Sequence, residues 1–190
     1  MRLKSLQDMF VHELGGIYSA EKQILHALPK MIRSASSGEL SAALEEHRQI
    51  TEDHVDRLDQ IFSMLEESSR ITKKCKGMEG LLEEGSEMVQ EDADDAARDA
   101  GIIAIAQKVE HYEIAAYGTL VAYARLLDQQ QAANLLEETL NEEKDADERL
   151  TEIAMSVVNI SAQEASERPT GYRGTQDGPR RPQPGNDRRL

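Results

Sequence analysis

A chain of 190 residues with 39% apolar side chains, no Trp and 4% aromatics has material for one core and a short appendage. Its net charge is −14; six arginines against four acids give residues 161–190 a charge of +2, so residues 1–160 carry −16 and repel nucleic-acid phosphates and anionic lipid. No apolar run approaches the roughly 18–20 residues of a membrane span, MRLKSLQDMFVHEL has no secretory leader pattern, and the single cysteine, Cys75, has no internal partner, so a cytoplasmic protein is expected.

No Pro lies between Pro29 and Pro169, and period-two β-branched runs are missing, so the expectation is all-α with long helices. The first helix is predicted from about Ser5 to Ile32, with Leu6, Phe10, Leu14, Ile17, Ile24, Leu28 and Met31 at three- and four-residue steps and a bend at Pro29. The second begins after Ser36-Ser37-Gly38-Glu39, which reads as a capping box, and ends near Glu67. After a connection from Ser68 to about Gly77, a short helix is predicted over Met78–Glu91. The third long helix is predicted over Asp94–Leu127 and the fourth over Gln130–Asn159. Two hairpins joined by a long crossover with a short helix form the connectivity of a ferritin-like four-helix bundle, and helices of about 30 residues give rods of roughly 45 Å. This bundle takes residues 1–160. The Pro, Gly and Arg-rich remainder, 161–190, reads as a disordered tail.

Each apolar stripe is interrupted near mid-helix. Glu21 falls between Ile17 and Ile24; His47 and His54 continue the heptad from Leu44 to Leu58; Glu110 and Glu113 lie between Ala106 and Tyr117; Glu143 and Asp147 lie between Leu140 and Leu150. The interval from Glu21 to His54 is 33 residues, and so is that from Glu110 to Glu143, as two hairpins crossing one level would require. Carboxylates with one or two imidazoles at one level of a bundle suit Fe or Mn, as one ion or a bridged pair. The competing reading is a metal-free polar layer whose members pair with one another, in a structural or interaction module. The Glu-x-x-His signature of ferritin-type sites is missing: Arg57 follows His54 by three residues and Ala146 follows Glu143 by three, with Asp147 one residue later as a substitute on that face. Glu138, Glu142 and Asp145 read as a solvated face, Cys75 among Lys73, Lys74 and Lys76 as a linker thiol, and His111 and Tyr112 as outer partners of the Glu110 region.

Tyr18-Ser19-Ala20-Glu21-Lys22-Gln23, Cys75-Lys76-Gly77-Met78-Glu79-Gly80-Leu81 and above all Ala106-Gln107-Lys108-Val109-Glu110-His111-Tyr112-Glu113-Ile114-Ala115 resemble the YciE/YciF family of bacterial ferritin-like stress proteins, as does the fourth helix from Glu137 to Asp147. The resemblance covers about residues 3–158 and implies a ferritin-like fold, a homodimer and a metal centre like that of rubrerythrins. By position it carries Glu21, Glu110, Glu113, Glu143 and Asp147 over as ligands. The second helix departs: where the family has a Glu-Glu-Thr pattern followed by Gln, this chain has Gln49-Ile50-Thr51 and His54, losing a carboxylate and gaining an imidazole. The expected metal set is Glu21, His54, Glu110, Glu113, Glu143 and Asp147, with His47 in reserve.

Overall fold

The structure is a computed structural model that describes residues 3–65 and 74–167. Among them it is helical, with no strand: α1 Leu6–Ser34, α2 Gly38–Met64, α3 Lys76–Met88, α4 Asp95–Leu126, α5 Gln130–Ile153, a π-helical turn over Ala154–Val158, and α6 Asn159–Glu167. The fold is the all-α, ferritin-like bundle that the apolar spacing predicts.

The first two helices start where a serine side chain serves an orphaned amide. The Ser5 hydroxyl accepts from the Asp8 amide and caps α1. Ser37, not Ser36, caps α2, its hydroxyl accepting from the Leu40 amide, one residue later than the capping box implies. The Asp99 carboxylate, buried on α4, accepts from the amides of both Ser36 and Ser37 at 2.8 and 2.7 Å and ties the α1–α2 connection to the second hairpin. α1 runs through Pro29 to Ser34. The α4–α5 turn places Asp128 at φ 57°, with the Gln129 amide donating to the Ala124 carbonyl.

These contacts also fix directions. Ser36 of the α1–α2 connection meets Asp99, whereas Glu21 of α1 meets Tyr117, so α1 and α4 run antiparallel. Likewise His54 and Arg57 of α2 meet Glu142 and Glu138 of α5. Each long helix therefore has antiparallel neighbours, and α2 lies diagonal to α4. α3 carries the chain back along the bundle. Near its start the Cys75 amide donates to Ser19 Oγ, and near its end Lys30 donates to Ser86 Oγ at 2.6 Å. A Cβ on Gly85 would lie 2.6 Å from Met31 Cε and 2.9 Å from Ile105 Cγ2, so the missing side chain lets α3 lie close against α1 and α4.

Helix continues seven residues past the bundle limit at residue 160, through Ser161-Ala-Gln-Glu-Ala-Ser-Glu167, because that stretch lacks Pro and Gly and the preceding turn buries Ala154 and Val158 against the bundle. The rest of the expected tail, 168–190, lies outside the described residues, as do 66–73 of the crossover. Among the described residues no helix is long and apolar enough to cross a membrane.

Candidate metal centre

Apolar residues fill the bundle above and below one polar layer. Phe10, Leu14, Phe62 and Leu120 pack one side; Leu40, Leu44, Ile102 and Ile153 pack the other. Between them Glu21, His54, Glu113 and Glu143 are fully buried, and Glu110 and His47 nearly so. Each arrives by helical phase: Glu21 completes the step from Ile17 to Ile24, and His47 and His54 are one heptad apart on α2.

The layer forms two overlapping groups. His47, Glu110, Glu113 and Glu143 each offer one ligand atom, and those atoms lie within 4.8 Å of one another; Glu21, His54 and Glu143 form a second such group. Glu143 belongs to both. His54 Nδ1 lies 3.0 Å from Glu143 Oε1 and 3.5 Å from Glu21 Oε1, while Nε2 faces outward and lies 2.9 Å from Glu142 Oε2. His47 Nε2 is 3.6 Å from Glu110 Oε1. The Tyr117 hydroxyl, fully buried, donates to Glu21 Oε1, and its ring meets the His54 ring edge-on at 6.3 Å.

Crowding so many carboxyls out of water shifts their titration. Burial, then the neighbouring Glu143 carboxylate, raises Glu110 and Glu113 well above the usual carboxylate range. Burial also opposes charge on His54, but the Glu143 and Glu21 carboxylates facing it prevail and push it up to about 10. Burial likewise works against charge on Glu143, where the His54 contact wins and holds it below its ordinary value. Burial lowers His47, against the attraction of Glu143.

The residues fit a metal on an observation independent of spacing. Among the described residues, both oxygens of Glu113 and of Glu143, one each of Glu21 and Glu110, and both nitrogens of His47 are buried with no hydrogen-bond partner. Buried polar atoms are ordinarily satisfied. Oxygen and imidazole donors left open toward one another are the donor set that Fe and Mn take. Four buried carboxylates carry −4 when ionised, which two divalent cations cancel.

Five of the six predicted ligands meet in this layer: Glu21, His54, Glu110, Glu113 and Glu143. Asp147 does not. It is partly exposed at the α4 side of the bundle, where Gln107 Nε2 donates to it at 3.3 Å and His111 Nδ1 lies at 3.3 Å. Four residues after Glu143 is about 400° of helix, which turns Asp147 some 40° further toward α4. His47, held in reserve, is in the layer. Glu142 is no solvated residue: it lies against His54, and Arg57 grips it through both guanidinium ends, with Nη2 2.9 Å from Oε1 and Nη1 also reaching Thr139 Oγ1 at 3.2 Å. Tyr112 turns from Glu110 to Cys75, its hydroxyl 2.9 Å from Sγ, and exposed His111 stays outside the layer. Cys75 is buried at the start of α3, its amide and carbonyl bonded to Ser19 and Gln23 of α1. Ile50 lines a cavity between α2 and α5.

Two antiparallel hairpins, a short helix between them packed against α1 and α4, and a buried Glu/His layer at mid-height define a ferritin-like helical protein. Residues 5–163 match the family described as domain of unknown function DUF892, and the chain belongs to that family. It is 45% identical to Protein YciF of Escherichia coli strain K12 over 164 residues, 86% of this chain and 98% of the relative. The crystal structure of that stress protein superposes with TM-score 0.78 over 83% of this chain and 99% of its own. YcfI of Rhodopseudomonas palustris is 42% identical, with TM-score 0.74 over 78% of this chain and 94% of that one. A two-domain protein of Anabaena variabilis with DJ-1/ThiJ/PfpI-like and ferritin-like domains shares the fold at 17% identity, TM-score 0.54, over 97% of this chain and 42% of that one. The resemblance carried by the third-helix motif is thus borne out.

Proposed function

We propose that the buried layer binds Fe or Mn, as a pair of ions, in a protein of the stress response like its relative YciF. The observation that supports this reading is the sharing of Glu143 by two complete donor groups. A carboxylate lying between two such groups would let two cations sit close together despite their repulsion. In this reading Glu21, His54 and Glu143 hold one ion, and His47, Glu110, Glu113 and Glu143 the other.

When bound, Fe or Mn supplies redox chemistry toward O₂ or peroxide. The chain does the rest. Tyr117 holds one oxygen of Glu21 and leaves the other free. Glu142 engages Nε2 of His54, so Nδ1 is the nitrogen presented inward. The apolar side chains on either side exclude water, which strengthens every charge interaction within.

Elemental analysis of protein purified without added metal, followed by anaerobic Fe(II) titration, tests the reading. The expected result is uptake of two ions per chain, with Glu143→Ala losing both. Absence of Fe and Mn in the wild type, with no uptake on titration, would abandon it in favour of a metal-free structural module.

A further inference from the structure

Resting on that metal-binding reading, one cavity has a shape and charge that the layer does not explain. Between α2 and α5 lies a space of about 440 Å³ whose walls include the short side chains of Ala43 and Ala146. Its outer rim carries the exposed carboxylates of Glu46 and Asp145 with the exposed Arg149, which lies 3.8 Å from Glu152, and half-buried Glu142 adds a third acid to the lining. Its inner end is formed by His47 and Glu110, both more than nine-tenths buried. Both His47 nitrogens and Glu110 Oε2 are without hydrogen-bond partners among the described residues. A larger groove of about 960 Å³ between α1 and α3 is lined by four cationic side chains, Lys22, Lys30, Arg33 and Lys74, against two acids, Glu79 and Glu83, and no member of the layer lines it.

We propose that the α2–α5 cavity is the route by which a divalent cation enters the bundle, Glu46 and Asp145 collecting it at the rim and His47 and Glu110 receiving it at the inner end. Acidic groups at a low-dielectric mouth raise the local concentration of cations and speed their capture. Ile50 forms part of the wall and gives it an apolar stretch between the rim and His47. A histidine with no hydrogen-bonded anchor is suited to accept an ion in transit, because turning its ring breaks nothing.

The test is the rate of loading, read separately from the amount. Full-length metal-free protein is mixed in a stopped-flow cell with Co(II), whose visible bands report binding, and anaerobically with Fe(II). Ala146→Phe and, from the opposite wall, Ala43→Leu narrow the passage and are expected to load about tenfold more slowly to the same final stoichiometry. Glu46→Gln with Asp145→Asn leaves the walls intact; it should load several-fold more slowly at low salt, with the difference shrinking as salt screens the rim. Gly16→Leu on α1, where an added Cβ meets nothing within 4 Å, is the control and should load like the wild type. Circular dichroism identifies a filling variant that fails to fold; the other wall and the charge pair then decide. Unchanged loading rates at unchanged stoichiometry overturn the route and leave the metal site standing. No binding by the wild type overturns both.

Discussion

The two imidazoles of α2, one heptad apart, are built differently. His54 is fully enclosed, with Glu143 and Glu21 before one nitrogen and Glu142 at the other, and Arg57 locks Glu142 from outside. His47 packs at the inner end of a cavity, 3.6 Å from Glu110 and with no hydrogen-bond partner among the described residues. The first is a pre-set donor whose orientation is over-determined. The second keeps the freedom to turn. A polar layer designed only to satisfy itself would have no use for that asymmetry, whereas a site that must be both filled and held would use both.

The contrast is open to attack by substitution, most severely at His54. Its removal in His54→Ala leaves the Glu143 and Glu142 carboxylates facing a void, and the expected cost to the metal-free protein is about 3–5 kcal/mol by denaturant unfolding. A cost near that of an ordinary surface change would show that His54 carries no charge in the fold. The pH dependence of metal-free stability comes next. His54 is raised to about 10 from its ordinary 6.5, so its contribution is complete below about pH 6.5 and disappears as pH rises through about 10. Glu110 and Glu113, also raised, push the same way above their ordinary 4.5. His47, lowered, acts oppositely, weakening the fold as pH drops below 6.5. Thermal melts from pH 6 to 10 should show falling stability, and His54→Gln should flatten the slope.

Arg57→Ala tests the outer lock. Loss of its bonds to Glu142 should cost about 1–2 kcal/mol and loosen the His54 ring, seen as a change in its imidazole ¹⁵N shifts. Shifts identical to the wild type would mean that Glu142 holds the ring unaided. The smallest effect belongs to His47→Ala, about 1 kcal/mol or less in the metal-free protein, because no hydrogen bond is lost and a cavity already borders the site. A loss as large as that at His54 would erase the distinction between the two.

What could be read in advance divides along physical lines. Helix phase gives the direction of a side chain relative to its own axis, so Glu21, His54, Glu110, Glu113 and Glu143 were legible as inward residues. Phase does not say which neighbour waits there. Glu142 and Asp147 both flank the inward direction of Glu143, and the spacing favours Asp147. Only the packing shows that Glu142 turns to α2, where Arg57 and His54 wait, while Asp147 turns to Gln107 and His111 of α4. Tyr117 was legible as core, but its hydroxyl bond to Glu21 links residues 96 positions apart and leaves no local signal. The helical stretch to Glu167 was hidden by the Pro and Gly content that follows it.

The buried carboxylate of Asp99 has a kinetic consequence. Each hairpin is local in sequence and can assemble early, but the amides of Ser36 and Ser37 find their acceptor 63 and 62 residues away, on the other hairpin. The first turn is therefore left with two unsatisfied donors until the hairpins dock, and regains them if the hairpins part. Opening of either hairpin alone is penalised, and native-state hydrogen exchange should find the two protected as a single cooperative unit.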